Sequence, residues 1–153
     1  YNRDINEGGY HKHIKYTYSH KTKTVKSILT KKTYTENKTV TIGSSTKDII
    51  ASLYFIRLLD FESMSSGTSK TFPVIFDSAE FKGAITYSGK ETINTAIGQK
   101  VCYKIALGSN KSGDIKGTLW LTADENKIPV YGKFKIPVGN GELKIKSAIG
   151  LRN

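Results

Sequence analysis

Between Tyr10 and Ser19 polar and apolar positions alternate, with Tyr10, Ile14, Tyr16 and Tyr18 on one side and His11, His13, Lys15 and Thr17 on the other. That is the period of a half-buried strand. After a polar turn at 20–23, residues 24–34 return with Val25, Ser27 and Leu29 in phase. A hairpin follows in which Tyr18 meets Val25 and Ile14 meets Leu29. Residues 38–42 predict a short strand, and 71–76, 79–88, 90–94 and 99–107 predict four more, broken at Asp77-Ser78, Gly89 and Gly98. One segment leaves this period. Ser45-Thr-Lys-Asp48 has the spacing of a capping box, with Asp in place of the usual Glu, before an apolar run to Leu59. Ile49, Leu53 and Ile56 form one stripe and Ile50, Tyr54 and Leu58 another, which predicts a largely buried helix near 46–59 that plugs or caps the sheet. Arg57 within it calls for a carboxylate or a set of carbonyls.

Residues 113–153 predict a three-stranded antiparallel meander. Asn140-Gly141 suits a type I′ turn, which pairs Val138 with Leu143 and Ile136 with Ile145. A four-residue loop at 124–127 pairs Leu121 with Val130, Ile115 with Ile136 and Trp120 with Tyr131. Both turns place Val130, Phe134, Ile136 and Val138 on one face, and a slip of one residue would turn the whole set outward. The other face carries Trp120, Tyr131, Lys133, Lys135, Lys144 and Lys146, with Lys135 across from Lys146. Facing lysines repel and are tolerated where water screens them, so this face is expected to be wet. Trp120 and Tyr131 beside Lys133 make a weak ligand-binding candidate, able to stack on a sugar ring. The commoner use of such a pair is packing under a neighbouring strand or loop.

Composition adds bounds rather than chemistry. At 153 residues the chain suits a single β-rich domain over 1–153 and needs neither disulfide nor metal to fold. No apolar run approaches the ~20 residues of a membrane helix. The formal charge of +11 comes from 21 Lys and 3 Arg, and 10 of these basic residues lie in 1–47. Readers of phosphates and bases favour the bidentate Arg fork, whereas scattered Lys keeps sheet faces and edges soluble. Nucleic acid is therefore not the expected partner, and polyanion binding through the lysine-rich first strands is the alternative reading.

Reactive constellations are sparse. His11 and His13 share a strand face but no acidic or cysteine ligand joins them on that strand. Cys102 sits at a plain strand position with no neighbouring His, and Asp124-Glu125-Asn126 has the composition of a tight turn rather than of a calcium loop. The common catalytic signatures are absent. No catalytic residue, metal site or cofactor is assigned.

Trp120-Leu-Thr-Ala-Asp124-Glu-Asn126-Lys-Ile-Pro129-Val, continued by Ile136-Pro-Val-Gly139, resembles the C-terminal signature of the exported bacterial domain-of-unknown-function 3108 family. Asp48-Ile-Ile-Ala-Ser-Leu-Tyr54-Phe-Ile-Arg57 resembles its central helix, and Arg3-Asp-Ile-Asn-Glu7-Gly-Gly-Tyr10 its upstream segment. The resemblance implies an all-β, mainly antiparallel fold, a large open barrel or half-barrel closed by a helix. Asp48, Tyr54, Arg57, Asp124, Asn126, Pro129, Asn140 and Gly141 are expected to hold structural positions. It also implies an exported protein of the periplasm or cell envelope of Gram-negative bacteria, with no established activity. The chain is expected to be the C-terminal part of a larger precursor, and its unpaired edges favour a homodimer or a retained N-terminal fragment. The leading expectation is a non-catalytic envelope protein that binds a lipid, a glycan or an envelope protein on a curved sheet. An envelope hydrolase is the third reading.

Overall fold

In the computed structural model residues 1–109, 116–136 and 139–151 are described. Ten strands and one helix follow in the order β1 (Asn2–Glu7), β2 (Tyr10–Ser19), β3 (Thr24–Lys31), β4 (Thr35–Thr41), α1 (Ile49–Arg57), β5 (Ser69–Phe76), β6 (Ala79–Thr95), β7 (Gly98–Ser109), β8 (Lys116–Thr122), β9 (Pro129–Ile136) and β10 (Gly139–Lys144). The fold is all-β and antiparallel, as the alternation predicts. It is built from two open sheets, a four-stranded β1-β2-β3-β4 and a six-stranded β10-β9-β8-β7-β6-β5, and neither is closed into a barrel. Every neighbour in both sheets is also a neighbour in sequence, so short turns suffice to build them.

Two compact units emerge, one of residues 1–52 with 73–81 and one of 53–72 with 82–153. In the first, the expected pairs Tyr18↔Val25 and Ile14↔Leu29 are present. Ile14, Tyr16, Val25 and Ile42 form its core with Ile75 from the end of β5. The strand β1 was not foreseen, because Ile5 is its single apolar residue and period-two alternation has nothing to read there. Between β5 and β6, Asp77 and Ser78 have φ of 46° and 59°, the geometry of a type I′ hairpin turn. Polar contacts hold that turn down. Ser78 N donates to the Tyr16 hydroxyl at 3.0 Å, the Ser27 and Ser78 hydroxyls lie 2.6 Å apart, and Asp77 accepts from Arg3 and from Lys12, the latter at 3.0 Å.

In the second unit, residues 79–95 form one strand with a register shift between Tyr87 and Lys90, where Gly89 has φ of 94°. Gly89 was expected to end a strand and instead marks a bulge, which a positive-φ glycine permits. On the inner face of the sheet, Phe61 packs between Tyr103 and Tyr87, with centroids at 5.0 and 5.5 Å. Ile85, Ile105, Leu119 and Leu121 are also buried. Along β6 to β8 this face is filled by the protein's own side chains, while Leu143 on β10 is half exposed.

The helix is shorter than expected and less buried. Asp48 Oδ1 accepts from Ala51 N at 2.8 Å, a side-chain cap for the first turn. Ser52 and Ile56 are buried, but Ile50, Tyr54 and Leu58 are 54, 60 and 82% exposed. Apolar residues on most sides of a helix cannot all face one sheet. The second predicted stripe therefore lies outward instead of plugging anything.

The C-terminal meander forms with two corrections. Pairs from Lys116↔Lys135 to Trp120↔Tyr131 keep the expected register, but a shift after Trp120 sets Leu121 opposite Pro129 rather than Val130. The expanded loop is the cause. Asp124 Oδ1 gathers the Thr122 hydroxyl (2.7 Å) and the Asn126 and Lys127 amides (2.9 and 3.1 Å), while Thr122 Oγ1 accepts from Ile128 N at 3.0 Å. Val130 consequently packs with Cys102 and Trp120 rather than on the Phe134 side.

The β9–β10 hairpin closes at Ile136↔Gly139, so Asn140 and Gly141 lie inside β10, opposite Lys135 and Phe134, and neither has a positive φ. Pro137 has no N–H to give a ladder continuing through it, which favours ending the strand at Ile136. Leu143 faces Gly132, Ile145 N donates to Val130 O, and the expected Ile136–Ile145 and Lys135–Lys146 pairs do not form. The pairings expected of Ile115 and Val138 lie outside the described residues. The β9–β10 register moved by an even number of positions, so that shift leaves the parity of β10 against residues 131–136 unchanged, and only Val130 has changed sides.

Candidate functional site: a lysine-rich outer face

The face of β7–β10 turned away from Phe61 is organised in rows across the strands. One row runs Lys104, Trp120, Tyr131, Lys144, the next Ala106, Thr118, Lys133, Glu142, and the last Lys116, Lys135, Asn140. In the first row Trp120 and Tyr131 stack with centroids 5.0 Å apart. The face is not wet there, because Trp120 is 7% exposed beneath Ile93, Ile97 and Ile145. The Trp120 indole N–H donates to Glu91 Oε2 at 3.0 Å, and Lys104 pairs with the same oxygen at 3.0 Å. These two donors hold the Glu91 carboxyl below the usual range. Tyr131 donates to Glu142 Oε1 at 2.7 Å, and Lys144 approaches the other Glu142 oxygen at 2.8 Å. Lys144 and the Tyr131 hydroxyl likewise lower the Glu142 carboxyl. Trp120 thus supports the face, and Tyr131 and Lys133 are the members of the expected trio that reach the surface, with the Lys133 ammonium 5.6 Å from the Tyr131 ring centroid.

Beyond these neutralised rows lies an open groove of about 540 Å³, lined by Lys116, Thr118, Lys133, Lys135, Asn140 and Glu142 and floored by Gly117, Phe134 and Gly141. A Cβ at Gly132 would meet Phe134 ring carbons at 2.8 and 2.9 Å, and one at Gly117 would meet Lys133 O at 2.5 Å. Those two glycines let the Phe134 ring lie flat on the inner face of the sheet.

Of the residues expected to hold structural positions, Asp48, Arg57, Asp124 and Asn126 lie at turns and joints, whereas Asn140 and Gly141 lie inside β10. Asp48 caps the helix and accepts a hydrogen bond from Tyr18 at 3.4 Å. Arg57 donates to Asn126 O at 2.8 Å, meeting the expectation of a carbonyl partner, and stands 5.5 Å over the Tyr54 ring. Lys127 Nζ donates to Leu59 O at 2.7 Å. The helix segment and the 124–128 loop, distant in sequence, are therefore bonded to each other. Pro129 opens β9. His13 contacts Asn2 Oδ1 at 2.6 Å, and no group of three or more metal-ligating side chains occurs among the described residues. Burial pushes the Cys102 thiol up to about 11, the reverse of what a nucleophile needs.

Sequence reasoning missed Glu91, Glu142 and the groove. Glu91 is 29 positions from Trp120 and no local pattern joins them. The groove depends on where the β9–β10 turn falls, and Pro137 was the available signal.

No curated protein and no solved structure matches the chain. The family model for proteins of unknown function called DUF3108 matches residues 1–146. Almost the whole chain is thereby accounted for, and the protein belongs to the DUF3108 family.

Proposed function

We propose that this protein works in the periplasm or cell envelope of Gram-negative bacteria as a non-catalytic binding protein, and that the outer face of the six-stranded sheet meets the ligand or partner. The observation that carries this reading is the contrast between the two faces. The inner face along β6 and β7 is filled by Phe61, Tyr87, Tyr103 and Ile105. The outer face ends in the open lysine-lined groove. The candidate reactive groups are committed elsewhere, Asp124 to its turn and Arg57 to a backbone carbonyl. That favours binding over hydrolysis.

Native mass spectrometry of the protein released from the periplasm tests the proposal. The expected result is recovery in the periplasmic or envelope fraction with a bound mass that a folded Lys116→Gln/Lys133→Gln/Lys135→Gln variant no longer carries. Recovery in the cytoplasm, or an unchanged bound mass in the variant, contradicts it.

A further inference from the structure

The three groove lysines differ from the others on the same face. Lys104 is neutralised by Glu91 and Lys144 by Glu142. Lys116, Lys133 and Lys135 make no direct ion pair among the described residues; Lys116 and Lys135 are cross-strand partners, and Lys133 stands opposite Glu142, whose carboxyl it helps to lower. Like charges placed opposite one another destabilise a sheet, and Lys116 and Lys135 are placed so at the rim of a concavity, with Lys133 in the next row between Thr118 and Glu142. Across the strands the backbones are about 5 Å apart and along β9 the two lysines are about 7 Å apart, so their ammonium groups can converge on one ligand.

Thr118 and Asn140 add neutral donors and acceptors beside the charges, and the Tyr131 hydroxyl, bonded to Glu142, lies at the margin. Bidentate Arg forks are absent from the lining and Trp120 is covered, which removes two of the features by which nucleic acid is commonly held. Point charges mixed with hydroxyl and amide groups match a ligand that mixes anionic groups with hydroxyls.

We propose that the groove binds an acidic glycan, with Lys116, Lys133 and Lys135 engaging its carboxylate or phosphate oxygens and Thr118 and Asn140 its hydroxyls. This rests on the binding reading above and names the ligand class. Lys133 is the central residue, since it flanks both the groove and the Tyr131 ring.

Titration calorimetry on the full chain decides it, with tetragalacturonate, glucose 6-phosphate, neutral maltotetraose and a thymidine oligonucleotide as probes at physiological salt. The expected result is binding of at least one acidic sugar, weakened at least about tenfold by Lys133→Gln and largely restored by Lys133→Arg. The preferred acidic probe tells whether carboxylate or phosphate is the group recognised. Far-ultraviolet circular dichroism checks that each variant is folded. Equal affinity for maltotetraose, tighter binding of the oligonucleotide, an unaltered affinity in Lys133→Gln, or no heat with either acidic sugar overturns the proposal. In any of these cases the broader binding reading stands or falls separately, on whether the triple variant still carries its native mass.

Discussion

At the scale of single residues, the charges that matter to stability are those the fold has half enclosed. Burial alone would raise the Asp77 carboxyl, but Lys12 and Arg3 outweigh it and hold the group below its ordinary value. Folding thus favours the carboxylate. Its contribution is fully present above the unfolded carboxyl value and is lost as pH falls through the lower folded value. The urea midpoint of the wild type should therefore fall between about pH 5 and pH 2 more steeply than that of Asp77→Asn. A matching slope in the two proteins would remove Asp77 from the account. Cys102 gives a second check. It is fully buried with a raised thiol, so a thiol reagent at mild alkaline pH should leave the native protein unlabelled and label it fully in urea. At this scale the sequence was legible where residues are joined by a short turn. Trp120 faces Tyr131 because Asp124 and its neighbours close a local loop. Glu91 was not legible, because only the completed sheet brings it to Trp120.

At the scale of elements, alternation located most of the strands, and the errors share one cause. Each came from a residue whose turn or apolar character has two outcomes: Gly89 bulged instead of ending a strand, Asn140-Gly141 lay in β10 instead of turning, and the helix kept an apolar stripe in water. Leu58, 82% exposed, should accept lysine with a stability change within about 0.5 kcal/mol, as measured by urea denaturation. A loss of several kcal/mol would mean that the helix is packed as the sequence alone implied. The Phe134 ring offers the converse test. Gly132→Ala inserts a methyl group into that ring and should cost about 1–3 kcal/mol. In a Phe134→Ala background the same change should cost markedly less, so the double-mutant cycle is non-additive. Additive costs would show that the ring does not lie over Gly132.

At the scale of the whole molecule, all-β class and antiparallel topology were readable, because sequential hairpins need nothing beyond local turns. That neither sheet closes into a barrel was not, since closure depends on long-range pairing that alternation does not encode. The candidate site was half legible. Tyr131 and Lys133 stand where expected, Trp120 is covered, and the groove beside them follows from the hairpin closing at Ile136↔Gly139. Ligand recognition is proposed for that groove and not for the lysines of β2–β4. Amide chemical-shift mapping of the full chain titrated with tetragalacturonate and with glucose 6-phosphate tests this most directly. At least one titration should shift Lys116, Thr118, Lys133, Lys135 and Asn140 together at physiological salt. Shifts confined to β2–β4, or none with either ligand, would contradict it.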